Sequence, residues 1–205
     1  PWKPIVSNLT ATPSYYNWPV PDDIGSTLKV KVQDASNINV WNMSSNNFTI
    51  VGKVTLQRPD QAEPDWVVGE SRFINWTPTG TFSSVIIQGS TNAFANESQV
   101  WNITTLPAGA NGTNQSFNYS PVGDNISNNV KIRISDANPA RFSLVNDTST
   151  DQFKIKGKLT VASPDAGTEV WVAGTKPTIT WVRAGSIQNI SVRVYDGSSW
   201  YSAAN

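Results

Sequence analysis

Four carboxylates cluster in the first half of the sequence: Asp60, Glu63, Asp65 and Glu70. Two carboxylates that face each other across a cleft are what a glycosidase needs, one as general acid and the other as nucleophile or base. A second copy of the surrounding motif, described below, has Asp165, Thr168, Val170 and Thr175 at these positions. Because a repeated scaffold that keeps one carboxylate of four does not indicate an active site, we expect no enzyme. A glycan-processing enzyme is the least favoured of the classes considered.

Five further aspartates lie in the predicted loops at strand ends: Asp22, Asp23, Asp34, Asp124 and Asp136. Their oxygen atoms are ligands that Ca²⁺ prefers. Isolated aspartates in turns more commonly accept hydrogen bonds from backbone N–H groups nearby. The prediction is therefore no cofactor, with calcium as the alternative.

The composition removes several other functions. The 205 residues include no histidine and no cysteine, which excludes imidazole and thiolate metal sites and catalytic thiols. Basic and acidic residues balance at 15 each, so nothing attracts nucleic acid electrostatically. No apolar run approaches the roughly 20 residues of a spanning helix, and we expect no membrane insertion.

Tryptophans are the other side chains that could contact a ligand, and there are nine. Four recur in the repeated motif and are predicted to be core residues: Trp66, Trp76, Trp171 and Trp181. The alternative is an aromatic platform on which a sugar ring stacks. An exposed pair among four others would favour it: Trp2, Trp41, Trp101 and Trp200.

Asn-x-Ser/Thr sequons number twelve, where about four are expected by chance. Such enrichment is typical of an extracellular glycoprotein, although an unglycosylated Asn- and Thr-rich β surface gives the same pattern. Asn75 and Asn102 are doubtful, since Asn75 lies between Ile74 and Trp76 and is expected to face a second sheet. Ten sites are predicted to carry sugar: Asn8, Asn42, Asn47, Asn96, Asn111, Asn114, Asn118, Asn125, Asn146 and Asn189.

The elements that must position these residues are strands. Short alternating runs such as LKVKV (28–32), NVKIRI (129–134) and ISVRVY (190–195) are bounded by Gly, Pro, Asn, Asp or Ser. Their spacing is close to the 8–12 residues typical of β-sandwiches. No segment has the period of a helix, so the sequence predicts an all-β fold.

The chain repeats itself at the length of a domain. Gly52 matches Gly157 and Trp76 matches Trp181, each 105 positions later, and many residues between them keep the same offset. A second match places KVKVQDAS (29–36) against KIRISDAN (131–138) at an offset of 102. We therefore predict that 52–155 is a complete domain, that 1–51 is the C-terminal half of one and that 156–205 is the N-terminal half of one.

The two halves are expected to complete each other between successive units. Trp101 is followed six residues later by Pro107, and Trp200 would be followed six residues later by Pro1 if Asn205 continued into it. The chain thus resembles one period of a tandem array. Each half alone would expose strand edges and an apolar face, so residues 156–205 of one unit are expected to join 1–51 of the next, in one polypeptide or by strand exchange.

The motif P-D-x(5)-W-V-x-G-x(4)-I-x-W, found at 59–76 and again at 164–181, resembles the Ig-like repeats of the Ser/Thr-rich GPI-anchored family, of the yeast cell-wall-synthesis type. Similar modules occur in tandem in large bacterial and archaeal surface proteins. Two departures concern turns: Gln61 and Ala62, and Ala166 and Gly167, stand where that family has a glycine pair, and NYSPVGDN (118–125) differs from NWPVPDD (17–23).

The resemblance implies tandem Ig-like or fibronectin-like antiparallel β-sandwiches at the cell surface or outside the cell. It implies a glycosylated structural unit of a filament, surface layer or adhesin stalk. The expected partners are copies of itself, head to tail, and cell-wall or surface glycans. The alternative function is a carbohydrate-binding module of a secreted or cell-surface protein.

Overall fold

The structure is a computed structural model that describes residues 2–61 and 63–202. Within these ranges the protein is nearly all-β, with several sheets and no α-helix; a single 3₁₀ turn covers Glu97–Gln99. No helix among the described residues has the length and apolarity needed to cross a bilayer. The departure at Ala62 and the predicted continuation of Asn205 into Pro1 fall outside the described residues.

All the strands lie between residues 25 and 202 of the described chain. In order they are β1 (Gly25–Leu28), β2 (Lys31–Gln33), β3 (Trp41–Met43), β4 (Phe48–Ile50), β5 (Lys53–Arg58), β6 (Trp66–Val67), β7 (Arg72–Thr79), β8 (Ser84–Ser90), β9 (Val100–Pro107), β10 (Gln115–Tyr119), β11 (Ser127–Asp136), β12 (Asn146–Thr148), β13 (Phe153–Lys156), β14 (Lys158–Ser163), β15 (Thr180–Ala184), β16 (Arg193–Tyr195) and β17 (Trp200–Ser202).

Strands β5 to β13, the central unit, form two sheets around one apolar core. One sheet has the order β10-β7-β5, and the other has the order β6-β13-β11-β8-β9 with β12 beside β11. Alternate residues of β7, β8 and β11 point inward, for example Ile74, Ile87 and Ile132, each 0% exposed. The arrangement is consistent with a β-sandwich.

Among the described residues, every strand pair is antiparallel except one. β6 runs parallel to β13, with Trp66 opposite Ile155 and Val67 opposite Lys156. This pair differs from the expected all-antiparallel sandwich, because β5 lies at the edge of the first sheet and β6, the next strand along the chain, lies at the edge of the second. The parallel pair brings Trp66 into the core.

The remaining strands form small two-stranded sheets on either side of the central unit in sequence. β1 pairs with β4 and β2 with β3, whereas β14 pairs with β15 and β16 with β17. Among the described residues, no strand of 25–50 pairs with a strand of 158–202. We call these segments the N-terminal half (residues 2–51) and the C-terminal half (residues 158–202).

The internal repeat extends to hydrogen-bond register. Lys53 pairs with Thr79 and Leu56 with Trp76 in β5–β7, with a register shift before Arg58. Every pair reappears 105 residues later in β14–β15, where Lys158 pairs with Ala184 and Val161 with Trp181 before the same shift.

The N-terminal half repeats the end of the central unit. β1 and β2 correspond to β11, β3 corresponds to β12, and β4 corresponds to β13. Gly25 opposite Ile50, for instance, becomes Ser127 opposite Ile155. The two halves therefore contain counterparts of every strand of the central unit except β6 and β10.

Burial is where the copies differ. Trp66 and Trp76 are 0% and 2% exposed, whereas their counterparts Trp171 and Trp181 are 44% and 42% exposed. The structure thus departs from the prediction that all four are core residues. The physical reason is that Trp66 and Trp76 belong to one buried cluster with residues of β11 and β13, such as Ile132 and Phe153, whereas no described residue of the C-terminal half is buried.

Candidate functional site: a repeated junction and two open faces

Trp66 lies in a pocket formed by side chains from other segments of the central unit, and we call this pocket its seat. Its ring lies 4.5 Å from that of Phe153 and 6.1 Å from that of Tyr119, measured between centroids. Its indole N–H donates to Glu63 Oε1 at 3.0 Å. Buried aromatic area of this size dominates core energetics, so this side chain fixes β6 onto β13.

Trp76 lies on the opposite sheet and is held in a similar way. Its indole N–H donates to the Ala108 carbonyl at 3.0 Å, so its polar atom is satisfied within the core. The glycines that follow the first tryptophan of each motif, Gly69 and Gly174, have φ of 89° and 84°, a backbone conformation that favours glycine.

The N-terminal half is fixed to the central unit through Asp22. The Asp22 carboxylate accepts hydrogen bonds from Thr81 N at 2.7 Å and Thr81 Oγ1 at 2.6 Å, and these bonds hold the pKa of that carboxyl below its usual value. Gly80 has a φ of 87°, and a Cβ there would lie 3.2 Å from Ile24 Cδ1. A residue with a side chain would crowd this contact.

The C-terminal half is fixed to the central unit in the same way. Asp124 accepts from Ser186 N at 3.0 Å and from Ser186 Oγ, and Gly185 has a φ of 87°. A Cβ on Gly185 would lie 2.9 Å from Ile126 Cδ1. Asp124 and Ile126 follow Asp22 and Ile24 by 102 residues, and the turn residues follow by 105.

The two junctions are at opposite ends of the central unit. Thr81 follows the end of β7, whereas the loop that carries Asp124 is hydrogen-bonded near the start of β7, through Val122 N to Glu70 O at 2.8 Å. An eight-residue strand spans roughly 25 Å. The terminal halves therefore attach about that far apart.

Each terminal half exposes a broad apolar face. In the C-terminal half, Val170 and Val172 are 86% and 67% exposed on either side of Trp171. In the N-terminal half a cavity of about 470 Å³ is lined by Trp18, Val20, Val30, Phe48 and Ile50, among others. Contiguous exposed apolar surface of this kind marks an interaction site.

The four clustered carboxylates of the first motif each have a hydrogen-bond or ion-pair partner within the central unit. Glu63 binds Arg58 as well as Trp66, Asp65 binds Lys156 at 3.3 Å, and Glu70 binds Arg72 at 3.2 Å. Asp60, which follows β5, accepts from Thr150 N at 3.3 Å in the loop before β13.

The five aspartates of the calcium alternative have separate partners. Asp34 accepts from Ser36 N at 2.8 Å, Asp136 pairs with Arg141 at 2.5 Å, and Asp23 pairs with Lys3. Asp22 and Asp124 form the junctions. Among residues 2–61 and 63–202, no three acidic side chains come together as a metal site would require.

Most of the predicted glycosylation sites are exposed; Asn125 is half-buried. Asn111 differs because its amide oxygen accepts from Gly80 N at 2.9 Å and its amide nitrogen faces Asp22 at 3.5 Å, so it belongs to a junction. Asn75 and Asn102 also differ from expectation. Asn75 is half-buried on the outer face of β7 beside Ser116, and Asn102 is exposed.

The remaining tryptophans sort into distinct environments. Trp101 packs against the core cluster, and a Cβ on Gly89 would collide with its ring. Trp2 and Trp41 are exposed, and the Lys31 ammonium lies 4.9 Å from the Trp41 ring centroid. Trp200 and Tyr195 form an exposed pair with centroids 5.1 Å apart and planes inclined by 36°.

The junctions are what sequence reasoning missed. Both sequence patterns that form a junction are visible, because the Asp-x-Ile segment and the Gly-Thr or Gly-Ser pair each occur twice at the repeat offsets. Only the structure shows that the first pair binds the second.

No protein-family model matches this chain, and no curated protein matches it either.

Proposed function

We propose that this chain is a structural repeat unit of an extracellular filament, surface layer or adhesin stalk. It would consist of tandem Ig-like modules that assemble head to tail without catalytic activity. The observation that carries the proposal is the repeated register: the strands of the two terminal halves correspond in sequence and pairing to those that enclose the central core.

The two junctions support a role in spanning distance. Identical carboxylate-to-turn contacts at both ends of the central unit would give successive modules the same relative orientation. Addition by a constant rotation and translation produces an open, extended assembly. A module joined in this way resists bending at the linker, which suits a stalk or thread.

The sequon density and the family resemblance support an extracellular location. Sugars on exposed β surfaces shield the flat faces of such modules from sideways aggregation. The resemblance to the Ser/Thr-rich GPI-anchored type is part of this proposal and rests on the two tryptophan motifs.

Electron microscopy and sedimentation of the purified chain test the proposal. We expect unbranched threads whose length increases with protein concentration. A monodisperse monomer at every concentration would contradict head-to-tail assembly.

A carbohydrate-binding module is the second candidate, supported by the exposed Tyr195–Trp200 pair. On a glycan array, binding that Trp200→Ala abolishes and Trp2→Ala preserves would favour this function over the first.

A further inference from the structure

We propose that the cavity in the N-terminal half is the seat for Trp171 of a second copy of this chain. The inference rests on the proposed head-to-tail assembly and names the contact that makes it. A heterologous contact of this kind leaves one seat and one tryptophan free at the two ends of any assembly.

The seat of Trp66 is the template. Three residues around Trp66, namely Tyr119, Phe153 and Ile155, have counterparts in the N-terminal half at Trp18, Phe48 and Ile50. Ile132 belongs to the same buried cluster as Trp66, and its counterpart is Val30. Those counterparts line the cavity, and Val20, the counterpart of the buried Val122, completes it. The cavity therefore has the walls of a tryptophan seat.

The volume is sufficient for an indole ring. A cavity of about 150 Å³ lined by apolar side chains holds benzene. The N-terminal half offers about 470 Å³, and most of its lining is apolar. Trp171, which is 44% exposed in a single chain, would gain the burial that Trp66 has.

Backbone pairing follows the same template. In the central unit β6 lies parallel to β13, and Val68 N donates to Lys156 O at 3.0 Å. The corresponding pairs join Trp171 to Ile50 and Val172 to Val51. Addition of an extended segment to a free strand edge is an established mode of recognition.

Side-chain chemistry selects the terminal halves for each other. Asp65 and Lys156 form an ion pair across β6 and β13 in the central unit. Their counterparts are Val170 and Val51, so both charges are replaced together by apolar groups. Matched replacement on two segments 119 positions apart in sequence is expected if they meet.

The Asp147 contact of the central unit is altered in the halves. Asp147 Oδ2 accepts from Leu56 N at 2.8 Å, and the counterparts are Asn42 and Val161. The single amide oxygen of Asn42 accepts from Met43 N at 2.7 Å, so the apolar walls of the seat, and not this bond, select Trp171. The occupant is a second copy because the halves of one chain attach to opposite ends of the central unit, roughly 25 Å apart.

Sedimentation velocity of the full chain tests the seat with two variants and a control. Trp171→Ala removes the inserted side chain, and Val30→Asp places a charge in the seat. Trp41→Ala, which also removes an exposed tryptophan but lies outside the seat, is the control. We expect self-association at least about tenfold weaker for the first two variants and unchanged for the control.

Mixing the two defective variants gives a result that misfolding cannot produce. The Val30→Asp chain keeps its Trp171 and the Trp171→Ala chain keeps its seat, so together they should form a one-to-one dimer of about 45 kDa, twice the 22.3 kDa of one chain. Growth should stop there because both outer ends are defective.

The outcomes separate this inference from the proposed function. Wild-type assembly that Trp171→Ala leaves intact would overturn the seat while head-to-tail assembly stood. Absence of the mixed dimer would also overturn it. A wild-type chain that stays monomeric would overturn the seat and head-to-tail assembly together.

Discussion

At the scale of single residues, the environment of each tryptophan follows from what its strand meets. Trp66 and Trp171 stand in the same motif, and so do Trp76 and Trp181, yet one of each pair is buried and the other is exposed. Intrinsic preference cannot explain the difference, because the residue types are the same and Trp76 and Trp181 also share the same register. The decisive factor is whether a second sheet is packed against the ring.

Replacement of Trp76 by alanine should destabilise the central unit by about 3–5 kcal/mol, because a large buried side chain is lost and a cavity remains. Trp41→Ala, at a site that is 51% exposed, should change the free energy of unfolding by less than about 0.5 kcal/mol. Urea unfolding of both variants measures these values. A loss below about 1 kcal/mol for Trp76→Ala would place this side chain outside the core.

Two neighbouring sequons should differ in occupancy in the native protein. Asn111 uses its amide at a junction, whereas Asn114 is exposed in the same loop. Glycopeptide mapping should therefore find sugar on Asn114 and little on Asn111. Equal occupancy of the two sites would show that Asn111 does not hold the junction in the glycosylated protein.

At the scale of elements, the junctions are short turns that receive a carboxylate from the neighbouring segment. Each uses a glycine with positive φ, which lets the turn approach the Asp-x-Ile segment closely. The same device occurs at both ends of the central unit. The strand pairs on either side of it are therefore set in a repeated geometry.

Removal of one junction carboxylate should release one amide and leave the other protected. In Asp22→Ala, hydrogen exchange at Thr81 N–H should speed up severalfold while Ser186 N–H stays unchanged, and Asp124→Ala should give the reverse pattern. Amide exchange followed by NMR measures both in one sample. Equal effects on the two amides would mean that the junctions are not independent contacts.

The Asp22 junction should be insensitive to pH until the medium is strongly acidic. Hydrogen bonds from Thr81 lower the pKa of the Asp22 carboxyl below its ordinary value of 3.8, so their contribution is complete above pH 3.8 and is lost as the pH falls through the lowered pKa. The Thr81 amide shift should follow this titration, and Asp22→Asn should abolish it. A transition near pH 5 or above would contradict this cause.

Much of the element pattern could be predicted from the sequence, but the contacts between segments could not. Alternation in runs such as NVKIRI indicates strands, and the offset of 105 predicts equivalent registers, because period and repeat are local properties. The parallel pairing of β6 with β13 depends on the change of sheet between β5 and β6, which is a tertiary property. The partner of Asp22, 59 residues away, depends on the same tertiary path.

The use that each loop carboxylate has in the structure could not be predicted from the sequence, for a related reason. A carboxylate in a loop can bind a cation, catalyse or accept backbone hydrogen bonds, and sequence alone weighs these uses by type and spacing. Asp60 and Asp124 accept from Thr150 N and Ser186 N, partners that lie far along the chain. Those contacts assign the carboxylates a structural use that no local pattern encodes.

At the scale of the whole molecule, the proposed function follows from an arrangement with two different open ends. The seat at one end and Trp171 at the other are complementary but not identical, so the contact is heterologous and does not close on itself. The central unit separates the two ends. The Asp65–Lys156 ion pair would keep β6 paired with β13 within the central unit, and the Val170–Val51 contact would keep the Trp171 segment paired with the N-terminal half of a second copy.

Dipolar spectroscopy tests whether the segment around Trp171 of one copy lies against the N-terminal half of another. Spin labels can be placed at single positions because the sequence has no cysteine. Chains labelled at Val51→Cys are mixed with chains labelled at Val170→Cys. The reference is one chain labelled at both Asp65→Cys and Lys156→Cys, where the wild-type side chains lie 3.3 Å apart. We expect the distance distribution between the labels at positions 51 and 170 of different copies to coincide with that between the labels at 65 and 156 in the reference chain. The absence of coupling between copies would contradict the proposed contact. So would coupling within a chain that is labelled at both 51 and 170 and diluted in unlabelled protein.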